Sequence, residues 1–460
     1  MSDYEWPPKS QTPVFSPRVP RPGPTLCLAL VVLAGFLLFG PVRSYYVQWS
    51  AIRKIQAAAL AGDYAEEFRQ LSLLAKMGNR DAQGYLGAMY WRGEGTAQND
   101  EQAVFWWRKS ADGGNAEAQA ALGQAYSVGR GVPKDDQLAA SWAKKAADKG
   151  NANGEYQLGT LYWQGQGVIK SSEQAVYWWR KAVDAGSVDA AYILGQVYFD
   201  GVGVEKDDKT GVMWIRRAAD KGHSEAAYVL SKAYKFGLGV DKDSQLAATW
   251  ARKAADQGNA DGQYMLGVLY HLGEGVAQDE RLAVQWWMKA ATSGVYQAQS
   301  AIANAYATGK GVARNDVQAA SWWLKAANQG DAAAQSNLGV AYSKGIGVVQ
   351  SDATALQWWL KAAKQGNLTG QLGIAYAYAN GRGTARDGKA AEFWWLEAAK
   401  TGNVDAEFGL GTLYYFGIDG RPNYPEAAKW FLKAAEHGNA QAKTYIEMMK
   451  QNGQLDSKTL

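Results

Sequence analysis

The sequence predicts an all-α protein, an α/α superhelical solenoid of ten 36-residue helical hairpins, and three observations carry that expectation. Glycines recur at 78, 114, 150, 186, 222, 258, 294, 330, 366, 402 and 438, each 36 residues after the last. Between them apolar residues fall three and four apart, the spacing of one helix face. Seven of the eleven prolines precede residue 25, so long helical stretches beyond it meet little backbone obstruction. A hairpin with one apolar face cannot bury that face alone and must stack on its neighbours.

Taken in order, residues 1–24 form a proline-rich tail with few aliphatic side chains, expected to stay extended and solvated. Thr25 to Val42 carries no charge, and its strongest apolar run is Leu26 to Phe39. This reads as one transmembrane helix, an uncleaved signal anchor of borderline length. Gly40, Pro41, Val42 and Arg43 offer no small-residue cleavage pattern. Lys9, Arg18 and Arg21 on one side balance Arg43, Arg53 and Lys54 on the other, so basic residues do not set the orientation. A short tail kept inside with a large exported portion is the usual signal-anchor arrangement. The absence of cysteine after Cys27 is compatible with an oxidising compartment. Residues 43–78 fit a degenerate capping hairpin, with helices around Tyr45 to Leu60 and Tyr64 to Lys76.

Residues 79–438 are the ten units, and Asn115 to Gly150 shows their design. Asn115 caps the first helix, as do Asn79, Asn151, Asn259, Asn367, Asn403 and Asn439 in their units. Ala118, Leu122 and Tyr126 make its apolar stripe. Gly123 recurs as Gly87, Gly159, Gly195, Gly267, Gly339 and Gly411, which calls for close approach of a second helix. Gly129 and Gly131 close the helix, and Asp136 is placed to cap the next, as are Asp100, Asp208, Asp316 and Asp352. The second helix carries Ala139, Trp142, Ala146 and Ala147 on one face, with alanine at the first of these positions in nine units and Gly211 in the tenth. Asn439 to Lys450 begins an eleventh unit with polar replacements, expected as a C-terminal capping helix, and 451–460 is a polar tail.

The run A-x-A-Q-x-x-L-G-x-x-Y-x-x-G-x-G-V, followed by D-x-x-x-A-x-x-W and K-A-A-x-x-G, resembles the Sel1-like repeat, a relative of the tetratricopeptide repeat. The resemblance covers residues 79–450 and implies a superhelix that binds proteins, found in membrane-associated complexes and in bacterial envelope and secretion-related proteins. It implies no catalytic residues.

Sixteen of the twenty tryptophans occupy two adjacent positions of the second helix, where a large ring fills space between hairpins. If the first helices line the concave surface, as in tetratricopeptide arrays, the variable groove-facing positions include Trp91, Tyr156, Trp163, Tyr192, Gln196, Phe199, Tyr228, Lys232, Lys235, Tyr264 and His271. Later units put Ala307, Ser343 and Ala379 where Trp91, Trp163 and Phe199 stand, which places the expected partner groove in units one to six. On the second helix, Arg108, Lys144, Arg180, Arg216 and Arg252 each precede an aspartate by four residues, the spacing of solvated ion pairs. Later units substitute Met288, Leu324, Leu360, Leu396 and Leu432, a possible second docking column for another protein or another copy of the chain.

The remaining chemistry is exclusion. With 48 cations against 44 anions, and basic residues neighboured by carboxylates, nothing calls for nucleic acid. One cysteine and three histidines in unrelated registers leave no metal or cofactor set, and no nucleophile elbow occurs. The function expected is a non-enzymatic scaffold or adaptor in the bacterial envelope, anchored in the inner membrane with its repeats in the periplasm and holding one or more protein partners. The second class is an immunity-type inhibitor that neutralises a secreted toxic effector enzyme.

Overall fold

The computed structural model describes residues 42–418 and 420–455. Among them are 23 α-helices and no strand; Ile418 and Arg421 make one isolated bridge. The helices Val42–Ala61 and Tyr64–Lys76 come first, and Ala440–Gln451 comes last. Between them each repeat contributes two helices of 12 or 13 residues, Arg80–Arg92 and Asp100–Asp112 in repeat 1. The expected anchor at 25–42 lies outside the described residues except for Val42. No described helix is long and apolar enough to cross a membrane.

The described residues form two compact bodies, 42–226 with Leu238–Val240 and Ala227–Gly237 with 241–455. Within each, a first helix packs on the second helix of its own hairpin, and that helix packs on the next first helix. The motif leucine sits at the centre of this packing. Leu86, Leu122, Leu158 and Leu194 in the N-terminal body, and Leu266, Ile302, Leu338 and Leu410 in the C-terminal one, are at most 1% exposed. Each such burial contributes about 1.5–3 kcal/mol, and ten in register explain how units this small hold together.

The asparagines that open first helices accept a backbone N–H three residues on; Asn79 and Asn115 bond Ala82 and Ala118 at 2.9 and 2.8 Å. His223 takes this place in repeat 5 through Nδ1, 3.1 Å from the Ala226 amide, and Val295 in repeat 7 makes no side-chain cap. The second-helix caps require a correction. Asn99, Asp135, Asp207, Asn315 and Ser351 are the caps, while Asp100, Asp136, Asp208, Asp316 and Asp352 are the first helical residues. That shift frees Asp100 and Asp352 to bind Arg130 and Arg382 of the following repeat, at 2.7 and 3.0 Å. Repeats also lock through the second loop glycine. Gly131 has φ +72°, and a Cβ there would lie 2.3 Å from the Asp100 carbonyl oxygen.

In repeats 1, 3, 6 and 8 the helical glycine faces the second tryptophan of its own hairpin. A Cβ on Gly339 would lie 2.3 Å from Cδ1 of Trp359, and one on Gly159 2.6 Å from Cδ1 of Trp179. Where the ring gives way to Ala251 in repeat 5, Ser231 replaces the glycine and donates to the Ala247 carbonyl at 2.8 Å.

Candidate functional site

The variable positions of the first helices divide by environment. In the N-terminal body Trp91 and Tyr156 are buried, while Trp163, Tyr192, Gln196 and Phe199 are half-buried. Trp91 packs 5.1 Å from the Trp107 ring, and the Arg130 guanidinium covers it at 3.8 Å. Trp163 lies 5.6 Å from Trp179. Phe199 fills the space over Gly211, where a Cβ would come within 2.9 Å of its ring, which explains the one repeat that lacks alanine at that position. Tyr192 stacks on His223 at 4.5 Å and accepts from Gln196 Nε2 at 2.5 Å. Burial holds His223 below the usual histidine range, against the pull of Asp189, and this suits a neutral ring whose Nδ1 must accept.

In the C-terminal body Tyr228, Lys232, Lys235, Tyr264 and His271 are half-buried. The Lys232 ammonium lies 5.4 Å from the Tyr228 ring centre, Lys235 pairs with Glu274, and His271 Nδ1 is 2.9 Å from Glu280. Burial raises the Tyr264 hydroxyl above the ordinary tyrosine range. These side chains are therefore tied to their own hairpins or to the next one.

The second-helix column also differs from expectation. Lys144 pairs with Asp148 as the spacing predicts, but Arg108, Arg180 and Arg252 donate to the hydroxyls of Tyr126, Tyr198 and Tyr270 in the next repeat. In later repeats Met288, Leu360 and Leu432 are half-buried there, and Leu324 and Leu396 are 38% and 37% exposed.

Sequence reasoning missed a groove in the C-terminal body. Repeats 8 to 10 contain a groove of about 1060 Å³ lined by their first helices and floored by Trp359 and Trp395. Ser343 and Ala379 line it at the position where repeats 1, 3, 4, 6 and 10 carry a ring, while Trp359 and Trp395 beneath them are 9% and 8% exposed. Gly373 and Gly409, one position before the motif residue, let the neighbouring helix pack closely against those rings. A Cβ at either would sit 2.6 Å from the indole of Trp359 or Trp395. No other repeat has glycine there. Tyr376 and Phe416, 53% and 57% exposed, stand on the walls, with Phe408 half-buried between them. Lys344, Arg386 and Asp405 are exposed lining residues, while Arg382 is held by Asp352. Among the described residues no cluster of three or more potential metal ligands occurs.

An array of stacked helical hairpins defines an α/α repeat protein, a fold suited to protein–protein interaction. The chain belongs to the Sel1 repeat family. Ten matches to the family model cover 80–115, 116–151, 152–187, 188–223, 224–259, 260–295, 297–331, 332–367, 369–403 and 404–439. Two matches begin one residue late, at 297 in the repeat opened by the uncapped Val295 and at 369 in the repeat opened by Asn367. Among solved structures, a protective antigen present in uropathogenic Escherichia coli strains, displaying an SLR fold, is 33% identical over 86% of this chain and 85% of that one, with a TM-score of 0.73. A Sel1 repeat protein from Oxalobacter formigenes is 32% identical over 66% of this chain and 88% of that one, with a TM-score of 0.50. A comparison with curated proteins returns no match.

Proposed function

We propose that this protein is a scaffold or adaptor of the bacterial envelope, tethered to the inner membrane by residues 25–42, that docks a partner protein in the groove of repeats 8 to 10. The groove carries this reading. It is an open concavity walled by the exposed rings of Tyr376 and Phe416, with the exposed charges of Lys344, Arg386 and Asp405 at its edge, the composition of a recognition surface. A rigid stack of hairpins presents it with little ordering left to lose on binding. The similarity to a protective antigen supports placing the repeats on the exported side.

The half-buried first-helix side chains of repeats 3 to 6 and the apolar column Met288, Leu324, Leu360, Leu396 and Leu432 are secondary contact positions. They are poorer tests, because truncating Trp163 also removes its packing on Trp179. The direct test places a photo-crosslinking amino acid at Tyr376 and, as control, at exposed Phe105 on a second helix, in cells that express the full chain. A discrete adduct from position 376 and none from 105 is the expected result; adducts from neither, or only from 105, would remove the docking assignment. Topology is read separately from reporters fused after Leu460. Fluorescence in the cytoplasm without periplasmic phosphatase activity would place the repeats on the other side.

A further inference from the structure

The second helices of repeats 6 to 8, Glu280–Thr292, Asp316–Asn328 and Asp352–Lys364, carry a strip of lysines that has no carboxylate partner among the described residues. We infer that this face docks an acidic amphipathic segment of a protein, its carboxylates on Lys289, Lys325, Lys361 and Lys364 and its apolar side chains on Met288, Leu324 and Leu360. The inference goes beyond the groove: none of these residues lines it, so the strip gives the chain a second, separate place to hold a partner.

The strip follows from two changes in the repeat. In repeats 1 to 5 the basic residue at this register, Lys109, Lys145, Lys181, Arg217 or Lys253, precedes an aspartate by three residues. A carboxylate one turn on offsets the cation. In repeats 6 to 8 that aspartate becomes Thr292, Asn328 and Lys364, and the basic residue just before the lysine becomes Met288, Leu324 and Leu360. Each of the three helices keeps a single carboxylate, at its first residue, and each is engaged elsewhere: Glu280 by His271, Asp316 by Arg314 and Asp352 by Arg382, at 2.9–3.0 Å. Lys289, Lys325, Lys361 and Lys364 are exposed, and their ammonium groups make no ion pair or hydrogen bond among the described residues. The strip ends in repeat 9, where Glu397 takes the lysine's place and binds Lys400 at 2.6 Å.

These cations differ from ordinary surface lysines in their support. The ammonium groups of Lys289, Lys325 and Lys361 lie 3.9, 3.7 and 4.0 Å from the ring centres of Trp286, Trp322 and Trp358, one turn back on the same helix. A lysine held on an indole face has given up rotamer freedom before anything binds, so a carboxylate meets a fixed charge at little further entropic cost. Beside the lysines, Met288 and Leu360 are half-buried and Leu324 is 38% exposed. Charge and apolar area together select the occupant. A polyanion without apolar groups leaves the Met and Leu column uncovered. An anionic bilayer takes up side chains that project into it, whereas these lysines fold back on their rings and Met288 and Leu360 pack against the core. The chain's own segment 1–24 has the wrong sign, since Lys9, Arg18 and Arg21 outnumber Asp3 and Glu5.

Fluorescence anisotropy of the full chain in a non-ionic detergent, with micelles alone as the blank, tests this. The probes are labelled peptides: EELLEELLEE, its leucine-free counterpart EESSEESSEE and its basic counterpart KKLLKKLLKK. The first is expected to bind at least tenfold more tightly than either of the others, and to weaken as salt rises. Lys289→Glu with Lys325→Glu and Lys361→Glu is expected to weaken it at least tenfold. Lys364→Glu, at an exposed side chain that rests on no ring, is expected to weaken it at least twofold with an unchanged circular dichroism melt, which keeps the test decisive if the triple variant loses stability. Failure of EELLEELLEE to bind, equal or tighter binding of either counterpart, or insensitivity to Lys364→Glu would overturn the inference. So would displacement of the acidic probe by phosphatidylglycerol added to the micelles, which assigns the face to a lipid surface. Self-association by light scattering that the lysine substitutions abolish would assign it to a second copy of the chain and overturn it as well. The crosslink from Tyr376 reads the groove separately, so either site can fail without the other.

Discussion

Glu155 shows how one residue can break a rule that its neighbours keep. Its position in the first helix is a glutamine in most repeats, and the buried amides of Gln119, Gln299 and Gln335 donate to the carbonyls of Ala111, Ala291 and Ala327 eight residues back at 3.1–3.2 Å. A carboxylate has no proton to give. Glu155 is only 4% exposed and its Oε2 has no hydrogen-bond partner, so burial pushes its carboxyl above the ordinary range, with Asp184 adding to the effect and Lys181 opposing it. The same exchange at Glu407 is answered by Lys433 and His437, at 3.2 and 2.7 Å. Because the folded-state pKa is raised, the folded protein holds its proton more tightly than the unfolded chain. Stability from this group is full below the ordinary carboxylate range and is lost as pH rises through the folded value. Glu155→Gln is therefore expected to stabilise the protein by about 1 kcal/mol at neutral pH, with the gain shrinking toward acid. Thermal melts of both proteins across pH 4 to 8 check this, and a gain that grows on acidification would contradict it.

At the scale of the helix and the hairpin, the sequence exposed the pattern and the structure named the atoms. The glycine column was legible as close helix approach because glycine in a helix is unfavourable and must be compensated. That its partner is the tryptophan of the same hairpin separates otherwise identical glycines. Gly339→Ala drives a methyl to 2.3 Å from the Trp359 ring and is expected to cost about 1–3 kcal/mol as overpacking. At Gly123 the ring is replaced by Ala143, and the nearest atoms are Gln157 Oε1 at 3.0 Å and the Ala139 carbonyl oxygen at 3.2 Å. Helix propensity there offsets a small shift, so Gly123→Ala is expected to cost less than about 1 kcal/mol. Urea unfolding of the two variants decides, and equal losses would show that the ring does not set the column. Helix starts were legible only to within one residue: Asp100 and Asp136 follow Asn99 and Asp135, and either of two adjacent polar side chains satisfies a capping pattern read in one dimension. The arginine contacts were not legible at all. Arg108 has Asp112 one turn away in sequence, and only the stacking of hairpins brings the Tyr126 hydroxyl into its reach.

The whole molecule is a sum of near-identical interfaces, and that yields a prediction no single repeat could. Excision of Asn115–Gly150 joins Gly114 to Asn151, a junction of the kind the chain already contains, and places repeat 3 where repeat 2 stood. The shortened protein is expected to keep its helicity per residue and a cooperative melt at lower temperature, while removal of 115–132 alone, which leaves a second helix without its first, is expected to lose both. Circular dichroism of the two deletions distinguishes them, and similar melts would argue against hairpin-by-hairpin stacking. By itself the sequence determined the number of hairpins, their helices and the residues of their cores, because these depend on local periodicity and on features that recur every 36 residues. Tertiary structure alone decided where the chain stays open. The groove of repeats 8 to 10 is lined by residues of three successive hairpins, from Val340 to Gly420, that meet only when the hairpins stack. Volume missing between helices leaves no period to read along one chain.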